Sequence, residues 1–281
     1  MYTERPIMKK DDTRLLLLYL LKQLNNICEK NNIPYYASGG TCLGAIRHKG
    51  FIPWDDDIDV MVPRKYYHQF VTACENSLKY PVVLRTREND PWFSSDYVLL
   101  CFADDEEGYS DLSIDVFFLD ETDPKRKIKR FVQDRILFYV FCVKMYKAAN
   151  VGKSRPFNLG DPFKALLIKI GAFLSNSTLD RISKKTLLAE KREGPYWINW
   201  GSCYNYKKAT YPKSAFGEPQ KAPFENTYVY IEQDPYTILK IIYGDKYMEL
   251  PPVEKRTEHG VREIKNTKID LLQIKKEVGL I

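Results

Sequence analysis

Four aspartates in five positions, Asp55, Asp56, Asp57 and Asp59, are the residues of this chain best suited to do chemistry. So many carboxylates repel one another unless a cation stands among them. The run then turns apolar through Ile58, Val60, Met61 and Val62, which places the acids on a buried strand. Charge that is costly to bury marks a site with a purpose. Side chains alternate along a strand, so Asp55, Asp57 and Asp59 share one face and Ile58, Val60 and Val62 the other, with Asp56 out of step. A second apolar-flanked carboxylate, Asp115, follows in 112–118, where Leu112, Ile114, Val116 and Phe118 alternate with Ser113 and Asp115. If the two strands pair, Asp57, Asp59 and Asp115 can converge on one point. Three oxygen ligands with open positions suit Mg²⁺ or Mn²⁺, which polarise a phosphoryl group and neutralise a leaving phosphate. The plainer alternative is a solvated acidic turn. The apolar alternation, the second Asp and a glycine pair upstream all argue against it.

That pair, Gly39-Gly40, leads through Thr41 into a short helix. Glycines let backbone N–H groups approach a phosphate, and a helix N-terminus favours anions. A simple turn is the alternative reading. Arg47, His48 and Lys49 end the helix, either to meet phosphates or to complement its negative end. Trp54 wedges the loop before the aspartates.

Positioning these residues requires a series of elements. A helix over 13–30 is followed by a strand at 33–37, a turn at 38–40 and a helix at 41–48. A strand at 57–62 leads to a helix that Pro63 opens and that runs to about 77. Strands follow at 82–86, 97–102 and 112–118, with an acidic loop at 103–111. Helices are expected at 127–147, 163–174 and 179–191, then a short apolar segment at 196–200 and a strand at 228–231. Asp234-Pro235 starts a helix that ends near Gly244, and a last helix covers 270–278. The pattern predicts an α+β protein: a mixed-sheet core over residues 1–120 and a largely helical region over 121–281.

Composition narrows the function classes. Six cysteines are scattered without a CxxC pair, which excludes zinc-ligand spacing and a disulfide framework. Three histidines are too few and too dispersed for a histidine metal cage. No apolar run approaches the ~20 residues of a membrane span, and 15–21 is too short and wrongly flanked for a signal peptide. The expectation is a cytoplasmic protein. The net charge of +6 is uneven: residues 122–170 hold twelve Lys or Arg against three acids, a local +9 that leaves −3 elsewhere. Such a field suggests an anionic partner. Basic amphipathic helices over 125–170 suit peripheral contact with an anionic membrane, and a core helix with a charged outer face is the alternative.

The combination Ser38-Gly39-Gly40, Asp57-Ile58-Asp59 and Ile114-Asp115-Val116 resembles the nucleotidyltransferase-fold superfamily. The longer string over 40–48, GTCLGAIRH, with IPWDDDID over 52–59, is similar to the LicD family. A second block agrees: Tyr243-Gly244-Asp245, Leu250-Pro251-Pro252, Lys255-Arg256 and His259. Residues 125–175 have no such match. The resemblance implies transfer of phosphocholine, or a related alcohol phosphate, from CDP-choline or another CDP-alcohol donor. The implied acceptor is a sugar hydroxyl of a cell-surface glycan, teichoic acid or lipid-linked oligosaccharide precursor. It assigns Asp57 and Asp59 as metal ligands, Asp55 as a further one, and Asp115 as the later-strand carboxylate. Asp115 would also take the acceptor's proton. Gly39, Gly40 and Thr41 match the donor-phosphate turn. Arg47 and His48, with Lys255, Arg256 and His259, would meet donor phosphates. Two rivals stand beside this reading: a nucleotidyltransferase acting on a small-molecule or antibiotic hydroxyl, and a non-enzymatic basic adaptor for membrane or nucleic acid. The aspartates repel both partners of an adaptor, so nucleic acid is not expected.

Overall fold

The structure, a computed structural model, describes residues 10–105, 108–154, 157–158, 161–188, 194–256 and 269–279. In chain order its elements are α1 (Lys10–Lys30), β1 (Tyr36–Ala37), α2 (Gly39–His48), β2 (Ile58–Pro63), α3 (Tyr67–Ser77), β3 (Val82–Arg85), β4 (Val98–Asp104), β5 (Gly108–Thr122), α4 (Lys127–Asn150), α5 (Pro162–Gly171), α6 (Asn176–Leu187), β6 (Tyr196–Asn199), β7 (Thr210–Pro212), β8 (Gln220–Phe224), β9 (Thr227–Ile231), α7 (Pro235–Tyr243) and α8 (Leu271–Glu277). The class is α+β, as expected. The chain forms two compact units, one of Met1–Leu84, Leu99–Val116 and Ala215–Ile281, the other of Arg85–Val98 and Phe117–Ser214.

In the first unit α1 is a core helix. Leu15, Leu16, Leu17, Leu20, Leu21 and Leu24 are all buried, and a helix apolar on this many sides must be covered on all of them. Strands run in the order β1-β2-β5-β4-β3. β1 and β2 are antiparallel, with Tyr36 opposite Met61 and Ala37 opposite Val60. β8 and β9 form a separate antiparallel hairpin from Gln220↔Ile231 to Phe224↔Thr227. Its loop is only Glu225 and Asn226, and Glu225 takes the left-handed conformation (φ 52°) that two-residue hairpins favour. The loop grips the stretch ahead of the aspartates: Glu225 N donates to Lys49 O (2.7 Å), and Glu225 Oε1 accepts from Phe51 N (2.9 Å).

In the second unit α4, α5 and α6 pack around Val140, Cys142, Val143, Ile168 and Leu179. The end of β5 pairs with β6, and β6 with β7, all antiparallel. A charged network ties the helices together. Lys144 Nζ lies 2.6 Å from Asp180 Oδ1, Arg87 lies 2.7 Å from Asp96, and Ser183 Oγ donates to Asp96 (2.5 Å). Burial pushes the Lys144 amine below its usual value, and the nearby Arg87 adds to the effect.

Several boundaries depart from the sequence reading. β5 begins at Gly108, so much of the expected acidic loop is strand. The acids of that stretch hide its alternation, and pairing with neighbouring strands overrides their low propensity. The first turn of the expected helix at Pro63 is instead a 3-10 turn, Arg64–Tyr66, with Pro63 ending β2. α6 starts early because Ser175 Oγ caps it by accepting from Thr178 N (3.1 Å). In the second half the strands β7 and β8 were not foreseen. Gln220–Phe224 contains Lys and Pro and becomes strand only through its partner β9.

Candidate active site

The chemistry-bearing residues gather in the first unit, around the junction of β1, α2 and β2. Gly39 opens α2 with φ +50°, a conformation costly for any residue with a Cβ. Its open side faces Tyr243, whose hydroxyl would lie 3.5 Å from a Cβ at that position. Gly40 is required by close approach, since a Cβ there would fall 2.6 Å from Asp55 Oδ2. Two hydrogen bonds then tie the glycine turn to the aspartate strand. Ser38 N donates to Asp59 O (2.8 Å), and Asp59 N donates to Thr41 Oγ1 (2.9 Å). Thr41 is buried, so its hydroxyl is a structural fixture that sets where Asp59 stands.

The predicted alternation is present. Asp55, Asp57 and Asp59 are half-buried, while Asp56, Ile58 and Val60 are buried. The loop before them is held by Arg14 of α1. Its Nη2 donates to Ile52 O (2.9 Å), Pro53 O (3.1 Å) and Asp55 O (3.0 Å), and its guanidinium lies over Phe51. Asp115, half-buried, lies on β5, the neighbour of β2, and its Oδ1 accepts from Ser113 Oγ (3.0 Å). The strand pairing that the sequence required is therefore real. The stronger expectation is convergence of the carboxylates on one point. Among the described residues no group of three or more His, Cys, Asp and Glu side chains is arranged to hold a metal ion. The donors nevertheless fit a hard dication in kind: oxygen only, half-buried, on adjacent strands, with Asp55 Oδ2 set into the space that Gly40 leaves.

A cationic and aromatic cluster flanks the aspartates. The Arg256 guanidinium lies 4.8 Å over the Trp54 ring, and His48 meets the same ring edge-on at 6.3 Å. Trp54 thus stands between His48 and Arg256. Arg47 Nη1 donates to Tyr247 O (2.8 Å) and Glu249 O (3.2 Å), which anchors the segment after α7. Burial lowers the Arg47 pKa from its ordinary value, with Tyr243 opposing and Arg256 reinforcing that shift. Burial, then Arg47, also pushes the His48 imidazole below its usual value. Lys255 is exposed in the turn Val253–Lys255, and His259 lies outside the described residues.

Sequence reasoning missed three residues of this neighbourhood. Arg14 and Tyr243 act through contacts distant in the chain, although Tyr243 stood in the second motif block. Glu232, wholly buried at the end of β9, accepts from Cys42 Sγ of α2 (3.6 Å). Burial raises its carboxyl to about 7.

Comparison with known proteins now adds to this geometry. Residues 32–139 match the family model described as LicD/FKTN/FKRP, nucleotidyltransferase domain. The stretch contains the glycine turn, all four clustered aspartates and Asp115. The chain is 28% identical over 264 residues, 90% of its length and 96% of the relative's, to a Haemophilus influenzae protein named lipopolysaccharide cholinephosphotransferase LicD. Uncharacterized proteins of Rickettsia prowazekii and Rickettsia typhi are each 50% identical over 46 residues, 16% of this chain and 17% and 15% of theirs. A family match spanning the whole aspartate site, and a relative aligned nearly end to end, make this chain similar to the LicD family.

Proposed function

We propose that this protein is a phosphotransferase that moves phosphocholine, or a related alcohol phosphate, from a CDP-linked donor to a sugar hydroxyl of a cell-surface glycan or its lipid-linked precursor. The observation that carries the reading is the double tie between the glycine turn and the aspartate strand. It holds a helix N-terminus, which favours phosphate, against a face of carboxylates, which favours a dication. The Haemophilus influenzae relative's name supports the choice of alcohol and a lipopolysaccharide-like acceptor.

Asp57 and Asp59, with Asp55 and Asp115, would hold Mg²⁺ or Mn²⁺. When bound, such an ion polarises the phosphoryl oxygens and neutralises the leaving phosphate. The chain's own groups do the rest. The α2 N-terminus sets the donor diphosphate against the aspartates, Thr41 keeps Asp59 in register with it, and Arg256 meets the same charge. Asp115 takes the proton from the acceptor hydroxyl. The acceptor oxygen then bonds to the phosphorus that bears choline, the bond from that phosphorus to CMP breaks, and CMP departs with the electron pair. Ser113 orients Asp115 by donating to Oδ1. The reading includes peripheral contact of the basic segment, residues 125–170, with the anionic cytoplasmic face of a membrane, where a lipid-linked acceptor is presented.

The test is product identity. Purified protein, CDP-choline, Mg²⁺ or Mn²⁺ and a panel of glycans should yield CMP and a phosphocholine-bearing glycan. Release of free phosphocholine with CMP on the acceptor would assign attack to the other phosphorus, and the protein would be a nucleotidyltransferase. No turnover of any CDP-alcohol under either metal would reject both.

A further inference from the structure

Helix α5 carries its apolar stripe on the wrong side for a core helix. Asp161 caps it, accepting from Lys164 N (3.0 Å), and Pro162 occupies its first turn, so its start is specified locally. One narrow side packs on α4. Ile168 is 6% exposed, Tyr139 Oη donates to Leu167 O (2.7 Å), and a Cβ on Gly171 would fall 2.4 Å from that same hydroxyl. The opposite side holds Phe163, Leu166, Leu167 and Ile170, and the turn that follows adds Phe173 and Leu174. Their spacing of three, four, seven, ten and eleven residues from Phe163 is that of one helical face. All six are exposed, Phe163 at 69% and Phe173 at 92%. On a helical projection Lys164 and Lys169, both exposed, fall on the two shoulders of this stripe. α4 repeats the design: Ile128, Phe131, Val132 and Phe138 are exposed in the same rhythm, with Arg135 among them over both phenylalanine rings.

We infer that α5, with the turn after it, is an interfacial helix that lays this stripe into the headgroup boundary of an anionic bilayer, its lysines at the level of the lipid phosphates. The inference rests on the membrane part of the proposed function and gives it a residue-level contact. An apolar stripe flanked by lysines is the pattern that lies in an interface rather than across it. Among the described residues no helix is long and apolar enough to cross a membrane. Charge selects lipid over a second copy of the chain, since dimerisation through this face would bring two segments of net +9 together.

The experiment is flotation of the full chain with vesicles of phosphatidylcholine alone or with one-third phosphatidylglycerol, at low and high salt. Wild type should float with the anionic vesicles at low salt and be at least about tenfold less bound to neutral ones. The variant Phe163→Gln, Ile170→Gln, Phe173→Gln should lose at least about tenfold in binding to the anionic vesicles. It should also keep its circular dichroism and its rate of CMP release with a water-soluble acceptor. Since all three residues are exposed, folding has little stake in them. Wild type that fails to float with anionic vesicles, or a triple variant that floats as well as wild type, overturns the inference. So does a wild-type dimer in light scattering that the triple variant abolishes, because the stripe would then belong to self-association. CMP release is read separately, so a wild type that turns over but does not float sinks this inference alone, and a wild type that floats but does not turn over sinks the catalytic reading alone.

Discussion

Gly40 is the residue at which one methyl group should do the most damage. A Cβ there would fall 2.6 Å from Asp55 Oδ2, far inside contact distance, so the carboxylate must leave its place. Gly40→Ala should lower turnover about 100-fold, the scale of an ångström-sized misplacement, with little change in the thermal midpoint. Comparing kcat with the melting curve checks this. Glu232 offers a different test at the same scale. Its carboxyl is held at about 7 against an ordinary 4.5, chiefly by burial. The folded chain therefore keeps a proton that the unfolded chain releases above about pH 4.5, and stability falls as pH rises from there to about 7. At 1.36 kcal/mol per unit the loss reaches about 3 kcal/mol and is complete above that range. Glu232→Gln removes this contribution. Urea unfolding should show the variant gaining on wild type by about 3 kcal/mol between pH 4.5 and pH 8; a constant gap would contradict the assignment. Nothing in the sequence announced Glu232, because its neighbours, Cys42 of α2 among them, lie far from it in the chain.

The elements explain why the aspartate face was legible and its supports were not. Apolar and acidic residues alternate from Asp57 to Val60, and a strand translates that alternation directly into two faces. α7 was equally plain, since Asp234 caps it by accepting from Thr237 N (3.1 Å) and Gly244 ends it with φ +86°. Arg14 was invisible for the opposite reason. Its three carbonyl partners lie some forty residues away, and the residues of α1 itself give no hint of them. β8 was missed because its own residues do not favour a strand. Between these extremes lies Thr41, which the sequence assigned to the phosphate turn and which the fold uses to hold β2. Thr41→Val keeps the volume and removes the acceptor of Asp59 N–H. Leaving that half-buried donor unsatisfied should cost about 1–3 kcal/mol, and turnover should fall with it. Denaturant unfolding and initial rates on the same preparation check both, and an unchanged unfolding midpoint would show that the bond contributes nothing.

At the scale of the whole molecule, the two units carry surfaces of opposite character. The first unit contains the acidic, half-buried face and its phosphate-favouring turn. The second contains the +9 segment and the exposed apolar stripes. Composition made the charge division readable before any fold was known, but only the fold shows that the stripe of α5 faces away from its own core. The account depends most on the aspartate face. The most direct measurement is the metal-dependent rate of CMP release from CDP-choline by wild type and by Asp57→Asn, each shown to be folded by circular dichroism. The account predicts that chelation abolishes the wild-type rate and that Asp57→Asn lowers it by about 1,000-fold or more, on the scale of losing a charged group at a phosphoryl-transfer centre. A folded Asp57→Asn variant that releases CMP at the wild-type rate would contradict it.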